Sequence, residues 1–269
     1  MGFNADASRI ALPRGKVFFA RKNLTTGVLD PLIHLGNCSK LEFGTIGDDI
    51  AEILDFTSFS PTPLTRISKK RAPEFPITLM ECNPDNLKLV FMGDAGAAFT
   101  QASGGSATAE ALAGGAKIGA IYKLAKRGSV VSGVGISAMT IKKAGAALSA
   151  QSDFTIVDAI NGIIQCVAMT STGLVAGDAL TADYTYPVIT TPLNVVLGGY
   201  VPRIEGQLLY VGTSNVGPVH QLDIWNCSIA SDGAYPFIAS DPVEFGLKVT
   251  VLTAAGHTEL FTVTELELS

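Results

Sequence analysis

The chain has 269 residues, 47% of them hydrophobic and 16% charged, with a formal net charge of -5 at neutral pH. Typical globular chains carry about 25% charged residues, so a monomer of this composition is short of charge for its surface, and a mildly acidic balance argues against a nucleic-acid reader, which shows a basic stripe. A membrane span needs about 20 apolar residues in a row, which Gly128–Ile141 and Ala95–Ile121 do not supply, and Asp6, Arg9 and Arg14 interrupt the N-terminal region without the apolar run of a signal peptide; the expectation is a soluble chain, made in the cytoplasm, with much of its surface buried against other chains.

In chain order, Lys16-Val17-Phe18-Phe19-Ala20 is apolar on both faces and reads as a strand covered on both sides. A strand around Leu41–Ile46 leads into an irregular stretch, Gly47 to Pro63, and that into a strand around Pro76–Cys82. The stretch combines Asp48, Asp49, Glu52 and Asp55 with Ile50, Ile53, Leu54, Phe56 and Phe59. Solvated loops rarely hold so many large apolar residues, so they either fold back on the core or await a partner surface. A basic cluster follows at Arg66, Lys69, Lys70 and Arg71. Opposite charge at the two ends of one region suits head-to-tail stacking of identical subunits, with plain solvated charge as the other reading.

Asn83 is a good N-cap, Pro84 suits the first helical position and Asp85 the positive end of the helix dipole. Leu87, Val90 and Phe91 fall at helical spacing, and Gly93 can close the helix in the left-handed conformation. The pattern predicts one short helix that needs a sheet to pack against. Gly93 to Gly115 is Ala/Gly/Ser/Thr-rich and reads as a mobile or extended connector.

Period-two alternation then marks strands at Ile118–Leu124, Leu180–Tyr186 and Phe245–Val251, while Leu208-Leu209-Tyr210-Val211 is apolar on both faces. His220 to Ile229 changes phase: Leu222 and Ile224 set one parity, then Trp225, Cys227 and Ile229 the other. Either a β-bulge near Ile224–Trp225 or a strand passing from one neighbour to another accounts for it.

Chemistry-bearing patterns are sparse. His34, His220 and His257 stand alone, with no i, i+4 metal pair. Cys38, Cys82, Cys166 and Cys227 are far apart and read as buried free thiols. Gly133-Val134-Gly135-Ile136 only loosely fits a dinucleotide pattern, with no strand–helix unit around it. No catalytic, metal or cofactor-binding residue is assigned, and the chain reads as a non-enzyme.

Several segments resemble those of siphophage-type major tail tube proteins. Pro13-Arg14-Gly15-Lys16-Val17-Phe18-Phe19-Ala20 leads to Gly27, to Leu35-Gly36-Asn37 and to Leu41-Glu42-Phe43 ahead of the acidic loop. Ile77 to Leu87 resembles the family's strand-to-helix step, Ala176-Gly177-Asp178 before Ala182-Asp183-Tyr184-Thr185-Tyr186 its Gly-Asp then Asp-Tyr pattern, and Ile204 to Gly212 with Gly217 and Leu222-Asp223-Ile224 its closing part. The Gly93–Gly115 segment has no counterpart. The resemblance implies a mainly β fold: a β-sandwich of two antiparallel sheets with a short flanking helix, as a single domain over 1–269 with extended loops near 47–63 and 93–115. It implies hexameric rings whose inner sheets join into a barrel and stack into a virion tail tube. Such a tube holds a tape-measure protein, meets terminator and baseplate proteins, passes double-stranded DNA and does not insert in a membrane. The 47–63 loop would stack rings, and Glu42 is the candidate lumen residue. The rival readings are a tail terminator or decoration protein, or a host-binding sandwich. The last is disfavoured by a 7% aromatic content, with Trp225 the sole tryptophan and read as core.

Overall fold

The computed structural model describes residues 9–10, 12–44, 46–57, 60, 62–213 and 217–266, with the backbone alone described at 46–50 and 68–71. In chain order the elements are β1 (Gly15–Arg21), β2 (Ile33–His34), β3 (Cys38–Leu41), β4 (Ile46–Asp55), β5 (Thr62–Leu79), α1 (Pro84–Val90) and β6 (Asp94–Ala95). There follow β7 (Phe99–Gln101), β8 (Gly105–Leu112), β9 (Ile121–Lys123), β10 (Ser137–Lys143), β11 (Ala146–Ala147), β12 (Phe154–Asp158), β13 (Ile163–Cys166), β14 (Leu180–Tyr186) and β15 (Ile189–Leu193). The chain closes with β16 (Val196–Leu197), β17 (Ile204–Gly212), β18 (Val219–Asp232), β19 (Phe245–Val251) and β20 (Thr262–Leu266). The mainly β expectation, with several antiparallel sheets and one short helix, holds.

Where the sequence reading has one domain, the chain divides into two compact units, Met1–Gly96 with Val195–Ser269, and Ala97–Asn194. The physical basis is two separate buried clusters, one in each unit. Among the described residues the first unit holds a nine-stranded sheet in the order β2-β1-β17-β18-β19-β5-β3, with β20 also on β18 and β4 also on β5. Its core gathers Val17 and Phe19 of β1, Phe75, Ile77 and Leu79 of β5, Leu208 of β17, and the alternating Phe245, Leu247, Val249 and Val251 of β19. Burying each such side chain contributes about 1.5–3 kcal/mol.

The phase change in β18 has both of its suggested causes. Cys227 faces Gly206 and Ile224 faces Leu208, so β18 carries an extra residue against β17. Burial passes accordingly from Leu222 and Ile224 to Cys227 and Ile229. On the other side of β18, Val219–Asp223 pairs with β20 and Cys227–Asp232 with β19, so the strand also changes neighbour. Trp225 sits at the bulge with its indole stacked on His257, ring centroids 4.2 Å apart.

Asn83 caps α1 as expected, its side chain accepting from the Asn86 N–H at 2.8 Å. The buried face is Asn86, Leu89 and Val90, not Leu87. Asn86 is fully buried, and its amide donates to the Leu35 and Glu81 carbonyls at 2.8 Å each. At the C-terminus the left-handed residue is Met92 (φ 48°) and not Gly93. Gly93 N–H donates to Lys88 O at 2.7 Å and Met92 N–H to Leu89 O at 3.4 Å, the paired bonds of a Schellman motif one residue earlier than expected.

The second unit contains the sheets β11-β10-β14-β8, β12-β13-β9 and β15-β7. The low-complexity connector therefore forms strands: β8 pairs with β14 from Gly105↔Tyr186 to Leu112↔Leu180. Alternation is clean in β14, where Leu180, Ala182 and Tyr184 are buried, but Ile118 lies exposed in a turn before β9. Asp153 is fully buried and accepts from Thr170 N–H at 2.9 Å, Thr170 Oγ1–H at 2.6 Å and Ser171 N–H at 2.8 Å. Burial alone would raise its carboxyl; these bonds bring it down to about 2. Gly135 allows close backbone packing: a Cβ there would meet Ala159 Cβ at 2.4 Å.

Candidate functional site

The stretch expected as an irregular loop is a β-hairpin. β3 pairs with β5 from Cys38↔Leu79 to Leu41↔Ile77. The ladder continues through Glu42 N–H to Pro76 O at 3.1 Å and Gly44 N–H to Glu74 O at 2.8 Å, then into β4, where Ile46 faces Pro73. The sequence around it is rich in β-branched Ile and Thr, which favour this extended backbone. The base of the hairpin lies in the sheet, where β5 alternates Phe75, Ile77 and Leu79 into the core. The distal part does not: among the described residues β4 pairs with β5 alone, and Thr62–Ile67 are all exposed. An isolated two-stranded ribbon is marginally stable in water, so an arm of this kind invites a partner.

Its register decides where the charges go. Asp48 faces Arg71, Asp49 faces Lys70 and Glu52 faces Arg66 in the backbone ladder, with Lys69 and Leu64 at the two register shifts. Arg66 and Glu52 form an ion pair at 2.6 Å. The acidic and basic clusters, expected to meet across stacked subunits, are thus cross-strand neighbours in one hairpin. Opposed residues share a face, so Ala51, Ile53, Thr65 and Ile67 lie on one side and Glu52 with Arg66 on the other. Ile53 is 43% exposed, Ile67 50%, Leu64 69% and Phe56, at the tip, 76%. Leu54 is half-buried opposite Pro63. Phe59 lies outside the described residues. Asp55 closes the tip by accepting from Thr57 Oγ1–H at 2.6 Å and Thr57 N–H at 2.8 Å, bonds that hold its carboxyl below the usual range.

A groove of about 650 Å³ opens at the base of the arm. It forms because β5 follows β19 only as far as Glu74 and then departs with β4, leaving β20 paired to β18 alone. Its floor is apolar, with Phe43, Phe75 and Phe261 in mutual contact at centroid distances of 5.2, 5.3 and 5.8 Å. Leu222 and Val263 extend it. Arg14, Lys40, Glu42 and His220 stand around it. Lys40 and Glu42 pair at 2.9 Å, whereas no carboxylate is paired with Arg14 among the described residues. Glu42 and Phe43 both border the groove, because regular strand β3 ends at Leu41.

Sequence reasoning did not find the groove. Its walls come from segments more than two hundred residues apart, Arg14 to Val263, and Phe43, Phe75 and Phe261 lie too far apart in the sequence to hint at a shared surface. The three histidines serve separate contacts: His34 against Phe18, His220 in the groove, His257 on Trp225. Among the described residues no group of three His, Cys, Asp or Glu is placed to hold a metal ion. Cys166 and Cys227 are buried, but Cys38 is partly exposed and Cys82 exposed, so two of the four expected buried thiols are not. No helix among the described residues is long and apolar enough to cross a membrane.

The family model described as protein of unknown function UCP028589 matches residues 11–256, and the chain belongs to that family. No curated protein matches it.

Proposed function

We propose that this member of the family is a structural subunit of a phage tail tube, polymerising as stacked hexameric rings into a hollow conduit. The observation that carries this reading is the β4–β5 arm, a ten-residue strand and its partner extending beyond the sheet with apolar side chains in solvent. Such an arm is costly to a monomer, since long exposed ribbons invite uncontrolled pairing; it makes sense as a contact between copies. The sheet supports the same reading. Its β2 edge and its β3 edge end without partners among the described residues, and joining edges of neighbouring subunits into a barrel removes them. A head-to-tail contact then repeats without closing and yields a filament.

In this role the tube holds a tape-measure protein, is bounded by terminator and baseplate proteins, and passes double-stranded DNA. DNA carries a dense negative charge, so a wall of neutral or acidic character keeps it sliding. Glu42 stays the candidate lumen residue, its charge locally offset by Lys40. The role is structural and asks for no catalytic group or cofactor. Negative-stain electron microscopy of the purified chain over a range of concentrations tests it: hollow tubes or stacked rings of uniform diameter are expected, and a chain that stays monomeric at every concentration, with and without an initiator complex, removes the reading.

A further inference from the structure

We infer that the groove at the base of the arm is the acceptor for the arm tip of a second copy of this chain. The inference rests on the proposed stacking of identical chains and adds the site where the arm lands. Three observations fit together. The tip presents Phe56 in solvent, with Ile53 also exposed in β4, and the groove offers a floor of Phe43, Phe75 and Phe261 with a volume of about 650 Å³, within the range of cavities that bury compact apolar groups. The charges match. Asp55 at the tip is held ionised by Thr57, and Arg14 at the groove lacks a carboxylate partner among the described residues, while Glu52 with Arg66 and Lys40 with Glu42 are already paired.

The arm's length sets the spacing. β4 has ten residues, so the arm extends about 33 Å at roughly 3.3 Å per residue. Because the groove lies at the base of the arm, a copy displaced by one arm length along it brings its own groove to the first copy's tip. The same step repeated gives an open-ended stack, a heterologous contact that does not close. The axial repeat of the assembly is then on the order of 35 Å, one arm plus its turn.

The test is site-directed disulfide trapping in the full chain, in a Cys82→Ser background that removes the exposed native thiol. Phe56→Cys protein mixed with Val263→Cys protein is expected to cross-link between chains on oxidation, and Phe56→Cys mixed with Phe237→Cys is not. In parallel, Asp55→Arg and Arg14→Asp are each expected to raise the concentration needed for assembly about tenfold, the range of a close interfacial charge pair, and the double variant to restore it. Tubes that assemble without the 56–263 cross-link, or a double variant no better than either single one, overturn the groove as acceptor and leave the conduit reading standing. A wild-type chain that gives no tubes, together with cysteine variants that give no 56–263 cross-link, overturns both.

Discussion

Replacing Phe56 by aspartate is expected to abolish assembly and leave the fold untouched. Phe56 is 76% exposed at the hairpin tip, so its own chain loses little; a surface change of this kind stays within about 0.5 kcal/mol of the parent. In the proposed assembly the Phe56 side chain is buried, which contributes about 1.5–3 kcal/mol. Losing it weakens each contact roughly 10- to 150-fold, and an aspartate next to Asp55 adds like-charge repulsion. A ring that docks several arms at once multiplies the loss. Sedimentation and negative-stain microscopy read the assembly, and urea unfolding reads the fold. The reasoning is refuted if the variant assembles at the parent's concentration. It is also refuted if the variant's unfolding free energy drops by more than about 1 kcal/mol, because Phe56 would then be a core residue.

Four other outcomes follow from the packing. Asp153→Asn turns an acceptor into a donor facing buried N–H groups, and urea unfolding of the second unit should show a loss of about 1–3 kcal/mol. The same carboxyl, held at about 2 against an ordinary 3.8, gives stability that is fully present above the ordinary value and lost as pH falls through about 2; an acid titration followed by tyrosine fluorescence that shows no loosening there would contradict this. In Gly206→Ala the new Cβ meets Ala20 O at 2.1 Å and the Phe19 ring at 2.6 Å, so thermal unfolding should reveal a destabilisation of about 1–3 kcal/mol. Alkylation read by mass spectrometry should label Cys82 first. Cys38, whose thiol burial and Glu81 push up to about 11, should react slowly, and Cys227, pushed up to about 12 by burial with Glu205, only after unfolding.

Legibility in the sequence tracked burial. β19 and β14 have one face in a core, so Phe245–Val251 and Leu180–Tyr186 alternate visibly. The parity switch at Trp225 was readable for the same reason, and the structure shows why two explanations stood: the bulge and the change of neighbour occur together. Thr62–Ile67 are all exposed, so they carry no period-two signal and the segment looks like a loop. Its charge clusters were visible, but their pairing depends on a register set by shifts at Lys69 and Leu64. β8 places only Leu112 fully in a core, so small residues disguised it as a connector. The second unit was invisible because its separation rests on contacts between segments distant in sequence. Asn86 carried no signal in the sequence, although it ties α1 to the carbonyls of Leu35 and Glu81.

The most direct measurement is negative-stain electron microscopy of the purified wild-type chain from dilute to concentrated solution, with an initiator complex added in a second series. The account calls for hollow tubes of uniform diameter with an axial repeat on the order of 35 Å, one arm length. Monomers alone in both series, or closed particles that never extend, would contradict it.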